Sequence, residues 1–363
     1  MESETITMYT RNQTHSITVR NIPIGGGSPV TVQSMTNTDT RDVRATVEQI
    51  RCLVSSGCEM VRLAVPDTSA AAALVEIRRE VDVPLIADIH FNHKLALLAL
   101  DAGIDKLRIN PGNIGSHSRV REIARAAAER SVPIRVGVNA GSLRKEILSR
   151  YGHPTPEALV ESAVEEVDVL KNMGFPDVCV SIKASNVLHT IRANLLFAEQ
   201  RDNPLHLGIT EAGTLSYGTI KSACGIGALL SYGIGDTIRV SLTADPVEEV
   251  TAGRAILKVM GLRKAGAEVV SCPTCGRTEI DIISLAGEVE KRAVDIKSPL
   301  IIAVMGCLVN GPGEAREADY GIAGGKGKGL LFRKGEVVSK VPERELVDRL
   351  FELIEKEGIE RNR

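Results

Sequence analysis

The chain contains no tryptophan, and aromatic residues make up only 3% of its 363 residues. Its core must therefore be packed from Val, Ile, Leu and Ala, a palette that suits buried parallel strands flanked by helices. No apolar run approaches the ~18 residues of a membrane span, so no membrane role is expected. Residues 1–20 are polar, which argues against a secretory leader and for a cytoplasmic protein. Neither sign of charge predominates: 44 basic and 46 acidic residues leave a net charge of −2. Non-specific attachment to nucleic acid or to a membrane surface has no electrostatic basis in such a chain. Histidine is absent after His206, and no cysteine follows Cys307.

What is present is a repeat. Short β-branched runs at residues 30–35, 60–65, 85–90, 106–110, 134–139, 178–183, 205–211 and 237–242 alternate with longer amphipathic segments. The spacing leaves room for a crossover helix between parallel strands. Thr155-Pro156 supplies an N-cap and a proline at the first helical position, and Leu159, Ala163, Val167 and Leu170 follow on one face. Eight such units predict an α/β fold, a (β/α)8 TIM barrel over residues 1–262, with a doubly wound open sheet as the alternative. Residues 1–29 read as a hairpin closing the barrel's bottom. Residues 263–363 change character and read as a small α+β domain. It has strands at 267–271 and 300–305, a helix over 280–296 and a hairpin over 321–340. A closing helix carries Leu346, Val347, Leu350, Phe351 and Ile354 on its apolar face.

Active sites of such barrels lie at the C-terminal strand ends. There the chain carries Arg62, then Asp88 and His90, Arg108 and Asn110, Arg135 and Asn139, Lys183 and Ser185, Glu211, and finally Arg239 and Ser241. Polar residues of one parity along a strand point the same way. Five cations, Arg62, Arg108, Arg135, Lys183 and Arg239, face two acids, Asp88 and Glu211. That balance implies a small ligand with several negative charges, a polyphosphate or diphosphate. Glu211 is the best carboxylate for proton transfer. Asp88 and His90 are further catalytic candidates, with mutual hydrogen bonding or pairing to an arginine as the structural alternative. Each cation alone has the alternative of a salt bridge at a solvated strand end. Cys52, Cys58, Cys179 and Cys224 read as small buried hydrophobes.

Cys272-Pro-Thr-Cys275 and Cys307 form a different group. Three thiols with no fourth Cys and no nearby His do not close a structural zinc site, and a redox pair does not call for a third Cys. The glycines of Asn310-Gly-Pro-Gly-Glu314 leave two readings of Glu314 open: a carboxylate returned to the same metal, or a capped helix start after Pro312.

Over nearly its whole length the chain resembles the bacterial 4-hydroxy-3-methylbut-2-en-1-yl diphosphate synthases of the non-mevalonate isoprenoid pathway. The resemblance is carried by Gln33-Ser-Met-Thr-Asn-Thr-Asp39, Val61-Arg-Leu-Ala-Val-Pro66, Ala87-Asp-Ile-His-Phe91 and Leu107-Arg-Ile-Asn-Pro-Gly-Asn113. It continues through Arg135-Val-Gly-Val-Asn-Ala-Gly141, Ser181-Ile-Lys-Ala-Ser185, Thr210-Glu-Ala-Gly213, Ser271-Cys-Pro-Thr-Cys-Gly276 and Gly306-Cys-Leu-Val-Asn-Gly-Pro-Gly-Glu314. The resemblance implies a [4Fe–4S] cluster on Cys272, Cys275, Cys307 and Glu314, with Glu314 also serving the chemistry as a labile corner. It implies reductive opening and dehydration of 2-C-methyl-D-erythritol 2,4-cyclodiphosphate, with two electrons from flavodoxin or ferredoxin. Arg62, Arg108, Arg135, Lys183, Arg239 and Ser241 would clamp the diphosphate, with Asn110, Asn139 and Ser185 beside it and Glu211 handling protons. A homodimer is implied, in which one chain's cluster domain closes over the partner's barrel. The competing readings are a non-redox barrel enzyme acting on a phosphorylated substrate with a structural metal in the tail, and a substrate-free electron carrier. The cationic mouth argues against the last.

Overall fold

The structure is a computed structural model that describes residues 10–264, 266–308 and 316–359. The chain divides into two compact units, with the boundary after Arg263. The first unit opens with an antiparallel pair, β1 (Ile17–Val19) and β2 (Ile22–Ile24). Eight parallel strands follow: β3 (Thr31–Met35), β4 (Met60–Ala64), β5 (Leu85–Asp88), β6 (Lys106–Ile109), β7 (Ile134–Asn139), β8 (Val178–Lys183), β9 (His206–Leu207) and β10 (Thr237–Ile238). Each pairs with the next from β3 to β8, and β10 lies between β3 and β9. A parallel bridge between Val180 and Leu205 closes the ring. This is a TIM barrel, and every strand run read from the sequence contributes to it. β9 and β10 are shorter than those runs. After Leu207 the chain leaves the ladder through Gly208 and reaches Glu211, whose φ of 52° is incompatible with a strand.

The helices of this unit are α1 (Val43–Ser55), α2 (Thr68–Glu80), α3 (His93–Asp101), α4 (Pro111–Ile114), α5 (His117–Glu129), α6 (Lys145–Tyr151), α7 (Pro156–Asn172), α8 (Val187–Ala198), α9 (Leu215–Ser231) and α10 (Pro246–Val259). Side chains of Asp42, Asp67, Asn92, Thr155, Asn186 and Asp245 accept first-turn N–H groups at the starts of α1, α2, α3, α7, α8 and α10. Most of these starts directly follow a strand's C-terminal end, so positive helix termini surround the mouth of the barrel. Val, Ile, Leu and Ala fill the core, and Phe175 and Phe197 are its only fully buried aromatics among the described residues. Ile17, Val19 and Ile24 of the hairpin pack on Met60, Ile86 and Cys179 near the N-terminal strand ends, plugging the end opposite the mouth. Cys58 and Cys179 are buried, but Cys52 and Cys224 are exposed. They fall on the solvent sides of α1 and α9, so the expectation that all four are buried holds for two.

The second unit is a five-stranded sheet in the order β11 (Ala267–Ser271), β12 (Leu300–Met305), β13 (Tyr320–Gly325), β14 (Lys328–Arg333) and β15 (Glu336–Pro342). The first three strands are parallel and the last two pairings antiparallel. α11 (Ile282–Ala293) and α12 (Leu346–Lys356) pack on it. Leu346, Val347, Leu350, Phe351 and Ile354 join Ile302, Val304 and Ile322 in its core. The segment read as one hairpin is a three-stranded meander. Its second turn is Lys334-Gly335, where φ values of 48° and 77° make the two-residue reversal favoured between antiparallel strands. No helix among the described residues is long and apolar enough to cross a membrane.

Candidate active site

A cavity of about 220 Å³ opens at the C-terminal ends of the barrel strands, lined by Arg62, Asp88, His90, Arg108, Asn139, Ser181, Lys183, Thr210, Arg239 and Ser241. Eight of the twelve barrel residues singled out in the sequence therefore meet in one place. Arg135 sits deeper in the ring, 1% exposed, donating to Gln33 Oε1 at 2.8 Å. Asn110 is buried at the start of α4. Ser185 and Glu211 are exposed on the loops after β8 and β9, outside the lining. Ser181 and Thr210 belong to the lining and were not singled out, although parity with Lys183 marks Ser181.

Asp88 is the organising acid. Its carboxylate is 3.3 Å from Arg108 Nη1, 3.4 Å from His90 Nε2 and 3.8 Å from Arg62 Nε. Burial pushes its pKa up, but Arg62, His90 and Arg108 together outweigh burial and hold it well below the usual carboxylate range. A carboxylate so held orients cations and does not carry a proton near neutrality. The second acid at the mouth is Glu249, on the buried side of α10. It takes Arg239 Nη2 at 3.2 Å, Ser34 Oγ at 3.2 Å and Leu242 N at 2.9 Å. Sequence reasoning missed it because only the packing of α10 against β3 brings it there.

Two carboxylates, Asp88 and Glu249, serve three of the four lining cations, and Lys183 has neither. Burial, then Arg135, Arg239, Arg62 and Arg108, drive the Lys183 pKa well below its ordinary value, and burial with neighbouring arginines does the same to Arg62. Backbone space is reserved for them. A Cβ at Gly137 would stand 2.5 Å from Arg108 Nε, and one at Gly208 would stand 2.6 Å from Lys183 Nζ. Glu211 follows Thr210 in a left-handed conformation that a side chain adopts only under constraint, a strain that collects at functional sites.

In the second unit β11 and β12 run in register, Ser271 beside Val304, so Cys272 and Cys307 leave adjacent strand ends. The Gly306 N–H donates to Cys272 Sγ at 3.2 Å, and Glu279 N donates to Gly306 O at 2.9 Å, tying the Cys275 loop to the end of β12. Hydrogen bonds from the backbone and side chain of Arg277 lower the pKa of the exposed Cys275 thiol, favouring the thiolate that binds metals. Glu314 and Asn310 lie outside the described residues. Among those described, no three His, Cys, Asp or Glu side chains already stand close enough to hold a metal ion. In kind the donors fit an iron–sulfur group: three thiols, with an N–H group aimed at one sulfur.

Residues 14–254 match the GcpE TIM-barrel domain and residues 268–356 the GcpE protein C-terminal domain. The chain belongs to the GcpE family. The 4-hydroxy-3-methylbut-2-en-1-yl diphosphate synthase (flavodoxin) of Geobacter sulfurreducens is 59% identical over 344 residues, 95% of this chain and 98% of that protein. The enzyme of the same name from Caldanaerobacter subterraneus subsp. tengcongensis is 58% identical over 346 residues, again 95% of this chain and 98% of that one. Among solved structures, 3-dehydroquinate dehydratase from Geobacillus kaustophilus superposes with a TM-score of 0.51 at 16% identity, over 68% of this chain and 98% of its own. That likeness is one of fold alone. The GcpE match spans both the cationic barrel mouth and the thiol-bearing unit.

Proposed function

We propose that this GcpE-family chain is a 4-hydroxy-3-methylbut-2-en-1-yl diphosphate synthase, reductively opening and dehydrating 2-C-methyl-D-erythritol 2,4-cyclodiphosphate in isoprenoid precursor synthesis. The observation that carries the reading is the cavity at the barrel mouth, where Arg62, Arg108, Lys183 and Arg239 surround a space lined by one acid, Asp88, with Glu249 behind Arg239. A diphosphate supplies the missing negative charge, and arginine forks match its oxygens. Arg135, below the cavity, adds to the same field. Asn139, Ser181, Thr210 and Ser241 offer neutral hydrogen bonds that orient the carbon skeleton. Glu211, at the rim, holds and delivers the proton that the departing hydroxyl requires. His90, on Asp88, is a second group at the rim that can carry one.

A [4Fe–4S] cluster on Cys272, Cys275, Cys307 and Glu314 would supply the two electrons of the reduction, received from flavodoxin, the donor in the relatives' names. The active form in this reading is a cytoplasmic homodimer in which one chain's cluster unit closes the partner's barrel. Phe91, Leu188 and Tyr217, 71%, 74% and 68% exposed on the loops and helix starts after β5, β8 and β9, give the mouth an apolar rim suited to such a cover. Closure would exclude water from the reduced substrate. Anaerobically purified protein should be brown and contain iron and labile sulfide. One colourless zinc per chain would favour a non-redox barrel enzyme with a structural metal instead.

A further inference from the structure

Arg62 on β4 and Arg239 after β10 flank β3, the strand that ends at Met35. A carboxylate braces each guanidinium, Asp88 at 3.8 Å from Arg62 and Glu249 at 3.2 Å from Arg239. Between them both arginines meet one sulfur. Arg62 Nε and Nη2 donate to Met35 Sδ at 3.0 and 2.9 Å, and Arg239 Nη1 stands 3.9 Å from it. A thioether is a weak, polarisable and uncharged acceptor. A third carboxylate in its place would compete with an anionic ligand for the two guanidiniums, and a purely apolar side chain would leave their inner N–H groups without direction. By periodicity alone Met35 reads as the last apolar residue of a buried strand.

We propose that Met35 is a positioning residue for the diphosphate. Its sulfur presets Arg62 and Arg239 side by side on one neutral acceptor and adds no negative charge to that of Asp88 and Glu249. The inference rests on the reading of the mouth as a diphosphate site. Its consequence is an ordering of variants by acceptor and charge. Met35→Leu keeps volume and removes the acceptor, a swap cores tolerate well. Met35→Gln keeps a neutral acceptor, and Met35→Glu keeps the acceptor but adds a charge.

The test is calorimetric binding of inorganic diphosphate to the full chain, with melting temperature as a check on folding. Met35→Leu should weaken binding about fivefold, Met35→Gln should stay near wild type, and Met35→Glu should lose roughly tenfold or more. The Leu penalty should vanish in an Arg62→Met background, which a packing role would not produce. Wild-type affinity in Met35→Leu, or affinity in Met35→Glu equal to wild type, would overturn the role of Met35. Failure of the wild-type chain to bind diphosphate would instead overturn the reading of the site.

Discussion

Lys183 ends β8 with its amine facing the cavity and four arginines in electrostatic reach, and no carboxylate is paired with it among the described residues. Its depressed pKa gives a testable sign. In the free protein the amine is largely neutral over a range where lysine is normally charged, and a diphosphate restores the charge. Binding should therefore take up a proton. Affinity should be flat below the free-state pKa and fall as pH rises from there toward the pKa of the complex. Calorimetry in two buffers of different ionisation heat should report that uptake, and Lys183→Met should abolish it; a wild type with no uptake at any pH from neutral upward would contradict it. Glu249→Gln should weaken diphosphate binding about tenfold by freeing Arg239, with unchanged affinity as the contrary result. Of the four lining cations, Arg108, Lys183 and Arg239 were legible because each shares its parity with a second polar residue at a strand end, and Arg62 because it interrupts an apolar run. Glu249 was not, since helix packing places it, and neither was Met35, whose role lies in being uncharged.

At the scale of elements, α7 and α4 meet through Glu166. This residue is 4% exposed, lies beside Ser162 and beside Gly112 in the first turn of α4, next to Asn110, and its Oε2 has no hydrogen-bond partner among the described residues. Burial, opposed by Arg144 and Arg108, pushes its carboxyl up from 4.5 to about 8. The folded state thus holds a proton that the unfolded chain releases, so stability falls as pH rises from about 4.5 to about 8. Glu166→Gln should flatten that slope and be the more stable protein at pH 8 by on the order of a few kcal/mol. Denaturant titrations at pH 5 and pH 8 with parallel slopes for the two proteins would refute this. The strands themselves were readable from β-branched runs, because parallel strands buried on both faces carry little but apolar residues. Less readable were the ends of β9 and β10, where backbone conformation around Gly208 and Glu211 ends the ladder. The extra strand in the second unit depended on a turn at Lys334-Gly335 that composition alone does not fix.

The whole molecule consists of two units with separate cores. The second packs Val304, Ile322, Leu350, Phe351 and Ile354 into an apolar core of its own. Unlike small domains that fold only around their ion, it should keep its secondary structure when iron is chelated. Far-ultraviolet circular dichroism should be unchanged as the brown colour is lost; collapse of the signal with the colour would show that the metal holds the fold. The barrel's polarity was visible in the repeat, and the balance of cations over acids at one end pointed to the ligand class. The geometry around the thiols was not readable to the same degree, because a candidate fourth ligand lies in a glycine-rich segment without periodicity. In the proposed function one chain joins a diphosphate-binding barrel to a reductive centre. That reading is tested most directly by incubating anaerobically purified, iron-loaded protein with 2-C-methyl-D-erythritol 2,4-cyclodiphosphate and reduced flavodoxin. Formation of 4-hydroxy-3-methylbut-2-enyl diphosphate, lost in Arg108→Ala, is the expected result, and recovery of unaltered cyclodiphosphate from protein with a full complement of iron and sulfide would contradict it.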